Sequence, residues 1–264
     1  MPQADLTITG EHAAVSAAGS GIGREITRRL VSAGVDVAIN DIDDDALDET
    51  KRELDSHPGD VITVQGDASD PDAMSEFIET AVESFGGLDV LVNNVGIAGP
   101  TKPCEDVAYE EFMRTLEINL GGQFSATKAA IPHLKESEAG RVVNLSSISG
   151  KRPLEHRTPY TTAKMGVIGF TRTLAVELAP HDVTVNAICP GSVEGDRIEA
   201  VIENQARSRD ISYEEARQEM TDASPMNTFV KPADIADTVL FLCSTRAERI
   251  TGQDLNVTAG IVMY

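Results

Sequence analysis

The sequence predicts an α/β protein, a doubly wound parallel sheet in a single domain. Three observations predict it. Short apolar runs alternate with segments of helical periodicity along the chain, as in repeated right-handed β-α-β units. Several runs are almost continuously apolar, Leu88 to Val92 among them, as expected where helices cover both faces of a sheet. Asp41, Asp67, Asn93, Ser147 and Pro190 all stand at or just past a predicted strand end, and ligands of such sheets bind beyond the carboxyl ends of the strands.

The first strand, 12–16, leads into Ser16-Ala17-Ala18-Gly19-Ser20-Gly21-Ile22-Gly23, and a helix over 21–33 follows with Ile26, Leu30 and Val31 in its apolar stripe. A glycine-rich strand-to-helix turn lets backbone N–H groups and a helix N-terminus approach a pyrophosphate. The second strand, 35–40, runs into Asp41, eighteen residues after Gly23. An acid there accepts hydrogen bonds from adenosine ribose hydroxyls and repels a 2′-phosphate. Asp43, Asp44 and Asp45 add negative charge; no basic residue is expected beside Asp41, and Arg24 follows the glycine turn. Strand, glycine turn, helix and acid together imply dinucleotide binding.

Further strands are expected at 61–65, 88–93, 140–146, 183–189 and 254–257. Further helices are expected at 43–55, 70–85, 106–135, 158–180 and 232–243. The stretch 191–228 breaks the alternation with polar helical segments, Arg197 to Ala206 and Tyr213 to Met220. No internal repeat, low-complexity tract or second domain is visible.

Tyr160 and Lys164 stand four residues apart, and Tyr160 is thirteen residues after Ser147. On a helix over 158–179 they share one face. A free phenol has a pKa of about 10; a neighbouring cation favours the phenolate and lowers that value. Such a phenol can exchange a proton with an alcohol or carbonyl near neutral pH.

Taken together these segments resemble the short-chain dehydrogenase/reductase family over nearly the whole chain, and the resemblance implies a Rossmann fold. The family's glycine signature matches 16–23, its adenine-contacting acid matches Asp67 in Gly66-Asp67-Ala68, and its Asn-Asn-Ala-Gly segment matches Asn93-Asn94-Val95-Gly96. Its catalytic Asn, Ser, Tyr and Lys match Asn119, Ser147, Tyr160 and Lys164, and its Pro-Gly matches Pro190-Gly191. The resemblance implies that NAD contacts Ser20, Gly21, Ile22, Gly23, Asp41, Asp67, Ala68, Asn93, Gly96, Tyr160, Lys164, Pro190, Gly191 and Val193. It also implies that 191–228 is a substrate-binding loop and lid. Three departures concern cofactor affinity and not reaction type: Ala17 replaces the usual first glycine, Val95 the usual alanine, and Gly195 a Thr that often bonds the nicotinamide carboxamide.

The implied reaction is NAD-dependent interconversion of a secondary alcohol and a ketone by hydride transfer; the resemblance does not name the substrate, for which a sugar, sugar acid or hydroxy acid is the expectation. Tyr160 moves the hydroxyl proton, Lys164 tunes Tyr160 and bonds the nicotinamide ribose, Ser147 polarises the substrate oxygen, and Asn119 positions a water. A small anionic substrate is suggested by the locally basic segment Lys151-Arg152-Pro153-Leu154-Glu155-His156-Arg157, with Lys102 and Arg197. A neutral ketone or 3-oxoacyl thioester is the alternative. So are a non-catalytic NAD-binding sensor, which need not keep Ser147, Tyr160 and Lys164, and an epimerase or dehydratase of an extended relative, which the compact length disfavours. His156 precedes Tyr160 in a loop, either in reach of substrate or merely solvated.

The composition fits such an enzyme. Of 264 residues, 41% are hydrophobic, enough for a large core. No run of about twenty apolar residues predicts a membrane span. Met1-Pro2-Gln3-Ala4-Asp5 lacks the basic and apolar regions of a signal peptide. Cys104, Cys189 and Cys243 show no metal-ligand spacing, fit a reducing cytoplasm, and are expected to be packing residues. Acids outnumber Lys plus Arg by 43 to 22, giving −21, and only seven of the bases are Lys. This surface repels nucleic acid and anionic membranes. It exceeds the magnitude of about 2–8 that keeps a small domain soluble and resembles the proteins of extreme halophiles. The resemblance implies that the long helices expected at 106–135 and 158–180 pair across a two-fold axis into a homo-oligomer, a tetramer.

Overall fold

The computed structural model describes residues 7–264, apart from the side chains of Arg197, Asn204 and Ser208. The strands are β1 (His12–Ser16), β2 (Asp36–Asp41), β3 (Val61–Gln65), β4 (Val90–Asn93), β5 (Arg141–Leu145), β6 (Thr184–Pro190) and β7 (Asp254–Val257). They form one parallel sheet in the order β3-β2-β1-β4-β5-β6-β7. This is the predicted doubly wound architecture. The chain leaves β3 at one edge and re-enters beside β1, so the carboxyl ends of β1 and β4 diverge around a crevice, the usual place for a ligand.

Helices α1 (Gly21–Ser32), α2 (Asp44–Leu54) and α3 (Pro71–Phe85) link the first four strands. Then come α4 (Tyr109–Leu116), α5 (Gly122–Glu136), α6 (Thr158–Leu178), α7 (Asp196–Arg209), α8 (Tyr213–Asp222) and α9 (Pro232–Leu242). Alternation of side chains along each strand divides the core into two layers. Val15, Ile39, Val92 and Leu145 pack with Ile26, Leu30 and Leu47 of α1 and α2 and Ile235 and Val239 of α9. Ala14, Ala38, Leu91 and Val142 pack with Phe77 and Ile78 of α3, Ala130 and Leu134 of α5, and Leu174 and Leu178 of α6. Leu91 is fully buried, so Leu91→Ala there costs about 2–5 kcal/mol.

The helix starts follow elementary capping. Asp43 accepts from the Ala46 N–H at the start of α2, and Asp70 from the Asp72 N–H before Pro71 opens α3, each satisfying a first-turn donor. These acids therefore cap helices expected to include them. Small shifts of one to three residues occur at other boundaries.

One expectation was wrong in kind. The single helix expected over 106–135 starts at Tyr109 and is interrupted by a π-type turn at Glu117–Gly121 before α5 begins. Such wide turns carry an extra residue and frequently mark functional sites. Asn119 sits in it. The cysteine expectation also needs amendment. Cys189 and Cys243 are buried, whereas Cys104 is exposed in a short turn after Pro103. Burial pushes the Cys243 thiol up to about 12 despite the opposing charge of Arg141.

Outside the two layers, α7 and α8 form a hairpin with a small core of its own: Ile202, Ala206, Ala216 and Phe229. Arg209 pairs with Glu219 across it. A short bridge ties it to the end of β6, with Glu194 N–H bonded to the Val230 carbonyl and Val230 N–H to the Ser192 carbonyl.

Candidate active site

The glycine turn is shaped as a cradle. A Cβ on Gly23 would lie 2.2 Å from the Ala17 carbonyl oxygen, so only glycine lets helix and turn close on each other. Gly21 takes a left-handed φ of 54°, which a glycine adopts freely. Helix α1 begins with no side-chain cap at Ser20 and no acid in its first turn. Its first-turn N–H groups and positive dipole end are therefore directed at the crevice, as an anionic pyrophosphate requires. These residues fit a dinucleotide. Ala17, in place of the expected glycine, still takes φ 51°. The turn keeps its shape at a cost of about 1–2 kcal/mol for a left-handed non-glycine residue.

Three hydrogen bonds tie this cradle to the opposite lip. The Ser16 hydroxyl accepts from the N–H groups of Asn94 (3.1 Å) and Val95 (3.2 Å). The Asn94 amide donates to the Ala17 carbonyl at 2.8 Å. The ends of β1 and β4 thus hold each other, and sequence reading missed both Ser16 and Asn94 as the holders. Asn93 lies below, fully buried, its amide on Thr127 and Asn144 at 2.8 Å each.

Asp41 closes β2 and accepts from the Gly19 N–H at 3.0 Å and the Asp43 N–H at 3.2 Å. The expectation that no cation lies near it needs refinement. Arg24 donates to the Gly19 carbonyl at 2.6 Å, but it also pairs with Glu49 and Glu53. Its charge is matched by two carboxylates. Asp67 accepts from the backbone and hydroxyl of Ser69, and these bonds hold its carboxyl below the usual range. Ala68 beside it is buried and packs on Gly122, where a Cβ would approach the Ala68 carbonyl to 2.6 Å. Pro190 ends β6. Gly191 N–H bonds the Val257 carbonyl, and Val193 bridges Val230.

The proton-transfer candidates converge from separate elements. Tyr160 and Lys164 lie on one face of α6, both nearly buried. The Lys164 ammonium stands 5.9 Å from the centre of the Tyr160 ring and donates to the Leu145 carbonyl at 2.9 Å. Ser147 follows β5, nine-tenths buried, and its oxygen accepts from the Ser149 N–H at 3.1 Å. Its loop is fastened to α6 by Ser146, whose hydroxyl donates to the Lys164 carbonyl at 2.8 Å. Asn119, fully buried in the π-type turn, donates to the carbonyls of Ile97 and Thr115 at 3.1 and 2.9 Å. Its Oδ1 is left without a hydrogen-bond partner among the described residues. Gly96 sits between these groups: a Cβ there would lie 2.6 Å from Asn119 Oδ1 and 3.1 Å from Lys164 Nζ.

The basic segment behaves differently from expectation. Lys151 is engaged by Asp254 at 2.8 Å, and Lys102 by Glu111 at 2.7 Å. The Lys151 bond reaches across to β7. Burial acts to raise the Asp254 carboxyl, but the bonds and charges of Lys151 and Arg172 outweigh it and hold it low. Arg152 is exposed, and the Arg197 side chain lies outside the described residues. Arg157 instead rests on the Tyr160 ring at 4.8 Å and donates to the Ala98 carbonyl and the Thr101 hydroxyl. His156 is exposed, in a left-handed conformation (φ 62°), and its carbonyl accepts from the Lys102 N–H.

Comparison with known proteins agrees with this geometry. Residues 16–262 match a family model described as enoyl-(acyl carrier protein) reductase. Glucose 1-dehydrogenase 2 of Bacillus subtilis (strain 168) is 32% identical over 259 residues, 97% of this chain and 96% of the relative. A crystal structure of a point variant of actinorhodin polyketide ketoreductase with NADPH superposes with a TM-score of 0.90 at 36% identity, covering 97% of this chain and 98% of that one. A structure of NAD+-bound xylitol dehydrogenase gives the same TM-score at 28% identity, covering 96% and 99%. With fold, strand-end residues and full-length similarity all in agreement, this chain belongs to the short-chain dehydrogenase/reductase family, as an oxidoreductase of carbonyl and alcohol groups that binds a nucleotide cofactor.

Proposed function

We propose that the protein is an NAD-dependent oxidoreductase that interconverts a secondary alcohol and a ketone, with Tyr160 as the acid–base group. The observation that carries the reading is the burial of Tyr160 beside the Lys164 ammonium, next to a Ser147 loop fastened to the same helix. A cation beside a phenol favours the phenolate, so Tyr160 can take the hydroxyl proton of an alcohol or return it to a ketone. Ser147 holds the substrate oxygen. Asn119 Oδ1, buried and unpaired among the described residues, holds a water that passes the proton on from Lys164. Bound NAD supplies the hydride acceptor and, reduced, the donor. The cradle at 20–23, Asp41, Asp67, Ala68, Asn93, Gly96, Pro190, Gly191 and Val193 hold it, with Tyr160 and Lys164. Asp41 selects NAD by repelling a 2′-phosphate, and the pairing of Arg24 with Glu49 and Glu53 supports that selection.

The substrate is small and enters under 191–228, acting as a lid on a single domain. Arg157 on the Tyr160 ring supports a sugar acid or hydroxy acid. The engagement of Lys151 and Lys102 by carboxylates removes part of the argument for an anion. Similarity to a polyketide ketoreductase favours a second reading, reduction of a 3-oxoacyl thioester. The enzyme works in a salt-rich cytoplasm as a homotetramer. Its pairing surface is the exposed apolar groove of about 420 Å³ lined by Leu116, Leu120, Phe124, Gly166 and Phe170. The decisive test follows absorbance at 340 nm with NAD, a panel of alcohols and Tyr160→Phe in molar salt. The variant is expected to bind NAD and lose about 10²–10⁴-fold in turnover; retention of more than about a tenth of the activity refutes Tyr160 as the acid–base group.

A further inference from the structure

Gln123 lies one turn after Asn119, at the start of α5, and is fully buried. Its Nε2 donates to the Leu145 carbonyl at 3.1 Å. Lys164 Nζ donates to the same oxygen at 2.9 Å. Leu145 closes β5. The next residue, Ser146, turns its N–H to Ile188 on β6, so the Leu145 peptide faces the β4 side. There the pairing of the strands ends at Asn93 with Asn144. Two side chains therefore do at this carbonyl what a ladder bond does elsewhere.

The orientation of the Gln123 amide is fixed by chemistry. Turned over, its oxygen would face the carbonyl oxygen. As placed, Oε1 is buried without a partner among the described residues. A buried acceptor left unpaired costs more than one hydrogen bond returns, so Gln123 gives up one contact to keep its N–H on Leu145.

We propose that Gln123 is a positioning residue for Lys164, sharing the Leu145 carbonyl so that the ammonium can leave it for the cofactor ribose without orphaning a buried acceptor. The inference rests on the reading of Lys164 as a cofactor-holding cation. Without the amide, the carbonyl retains the ammonium. Cofactor binding then has to break the last bond to a buried oxygen, and the cation stays on Leu145 instead of moving to the ribose.

The test compares wild type with Gln123→Met, which keeps the length and removes the donor, and with Thr171→Val as control. Thr171 accepts from Asn144 in the same buried layer but does not touch Leu145. Gln123→Met is expected to weaken NAD binding, measured by calorimetry in molar salt, by about five- to tenfold, the worth of one hydrogen bond. It is also expected to move the pH profile of kcat/KM to higher pH. Thr171→Val is expected to lower the melting temperature and leave both readouts unchanged. If Gln123→Met only lowers the melting temperature as Thr171→Val does, Gln123 is merely structural and the inference fails. A crystal structure of wild type with NAD decides the matter even if the variant does not fold. Gln123 is expected to remain on the Leu145 carbonyl with Lys164 drawn off it, and an ammonium still bonded there overturns the proposal. Wild type that binds neither NAD nor NADP would refute the cofactor reading itself, and the inference with it.

Discussion

Gly96→Ala adds one methyl group at the point where the proposed site is most tightly closed. The backbone of Gly96 lies outside the left-handed region, so alanine meets no conformational penalty there and the effect is one of contact. The new Cβ falls 2.6 Å from Asn119 Oδ1 and 3.1 Å from Lys164 Nζ. Ordinary van der Waals contact of such a Cβ begins at 3.4 Å, so the overlap with the Asn119 oxygen is roughly 0.8 Å. Asn119 cannot swing aside cheaply, because its amide is fastened to two carbonyls and the residue is fully buried. Overpacking of this kind costs about 1–3 kcal/mol. For a chain of this size that lowers the melting temperature by roughly 2–4 °C per kcal/mol. Relief comes by displacing Asn119 or Lys164, and a misplacement of about 1 Å in a catalytic constellation can cost about 10²-fold. The expected result is therefore a modest loss of stability and about a hundredfold loss in kcat/KM, read by thermal melts and the 340 nm assay. A variant that kept more than about a third of wild-type kcat/KM at an unshifted melting temperature would falsify the close approach of these three groups.

Asp41→Ala removes a carboxylate whose repulsion of a 2′-phosphate is worth ~3 kcal/mol at about 5 Å and an effective dielectric of about 20. The ratio of NAD to NADP efficiency is expected to fall at least about tenfold, and wild type that already uses NADP as well as NAD contradicts the premise. Withdrawal of salt is expected to cost structure or activity, because 43 acids against 22 bases repel one another once screening is lost; full activity after long dialysis into millimolar buffer rules this out. Phe124→Asp places a charge in the apolar groove, where Phe124 is half exposed and 6.1 Å from Phe170. Light scattering in high salt is expected to show a smaller assembly than wild type, and wild type running as a 28.2 kDa monomer excludes the pairing altogether.

Strand positions were legible because a buried parallel strand must be apolar on both faces, and runs such as Leu88 to Val92 have no other explanation. The strand-end residues were legible for a related reason: polar groups at the end of an apolar run have to serve the crevice or a cap. What stayed hidden was set by backbone atoms and by tertiary contacts. The π-type turn at 117–121 leaves the apolar pattern of its helix intact, so no periodicity announces it. Nothing in the letters shows that the carbonyls of Ile97, Thr115 and Leu145 hold Asn119, Lys164 and Gln123, because every residue has a carbonyl. Ala17 names no left-handed turn. The basic segment after Ser147 read as a patch of cations, yet Lys151 finds its counter-charge at Asp254, more than a hundred residues away.

The separate core of the α7–α8 hairpin has a consequence for how this scaffold tolerates change. Its apolar residues pack chiefly on one another; two backbone bonds between 192–194 and Val230 join it to β6, and the Met226 N–H bonds the Ala259 carbonyl. Replacement of the hairpin leaves both layers around the sheet filled, as well as the cradle and the groups around Tyr160. The segment between Glu194 and Val230 is in that sense an exchangeable cartridge, with Val193 and Val230 left in the scaffold. A graft that keeps this bridge leaves the proposed cofactor and proton-transfer groups in place below it.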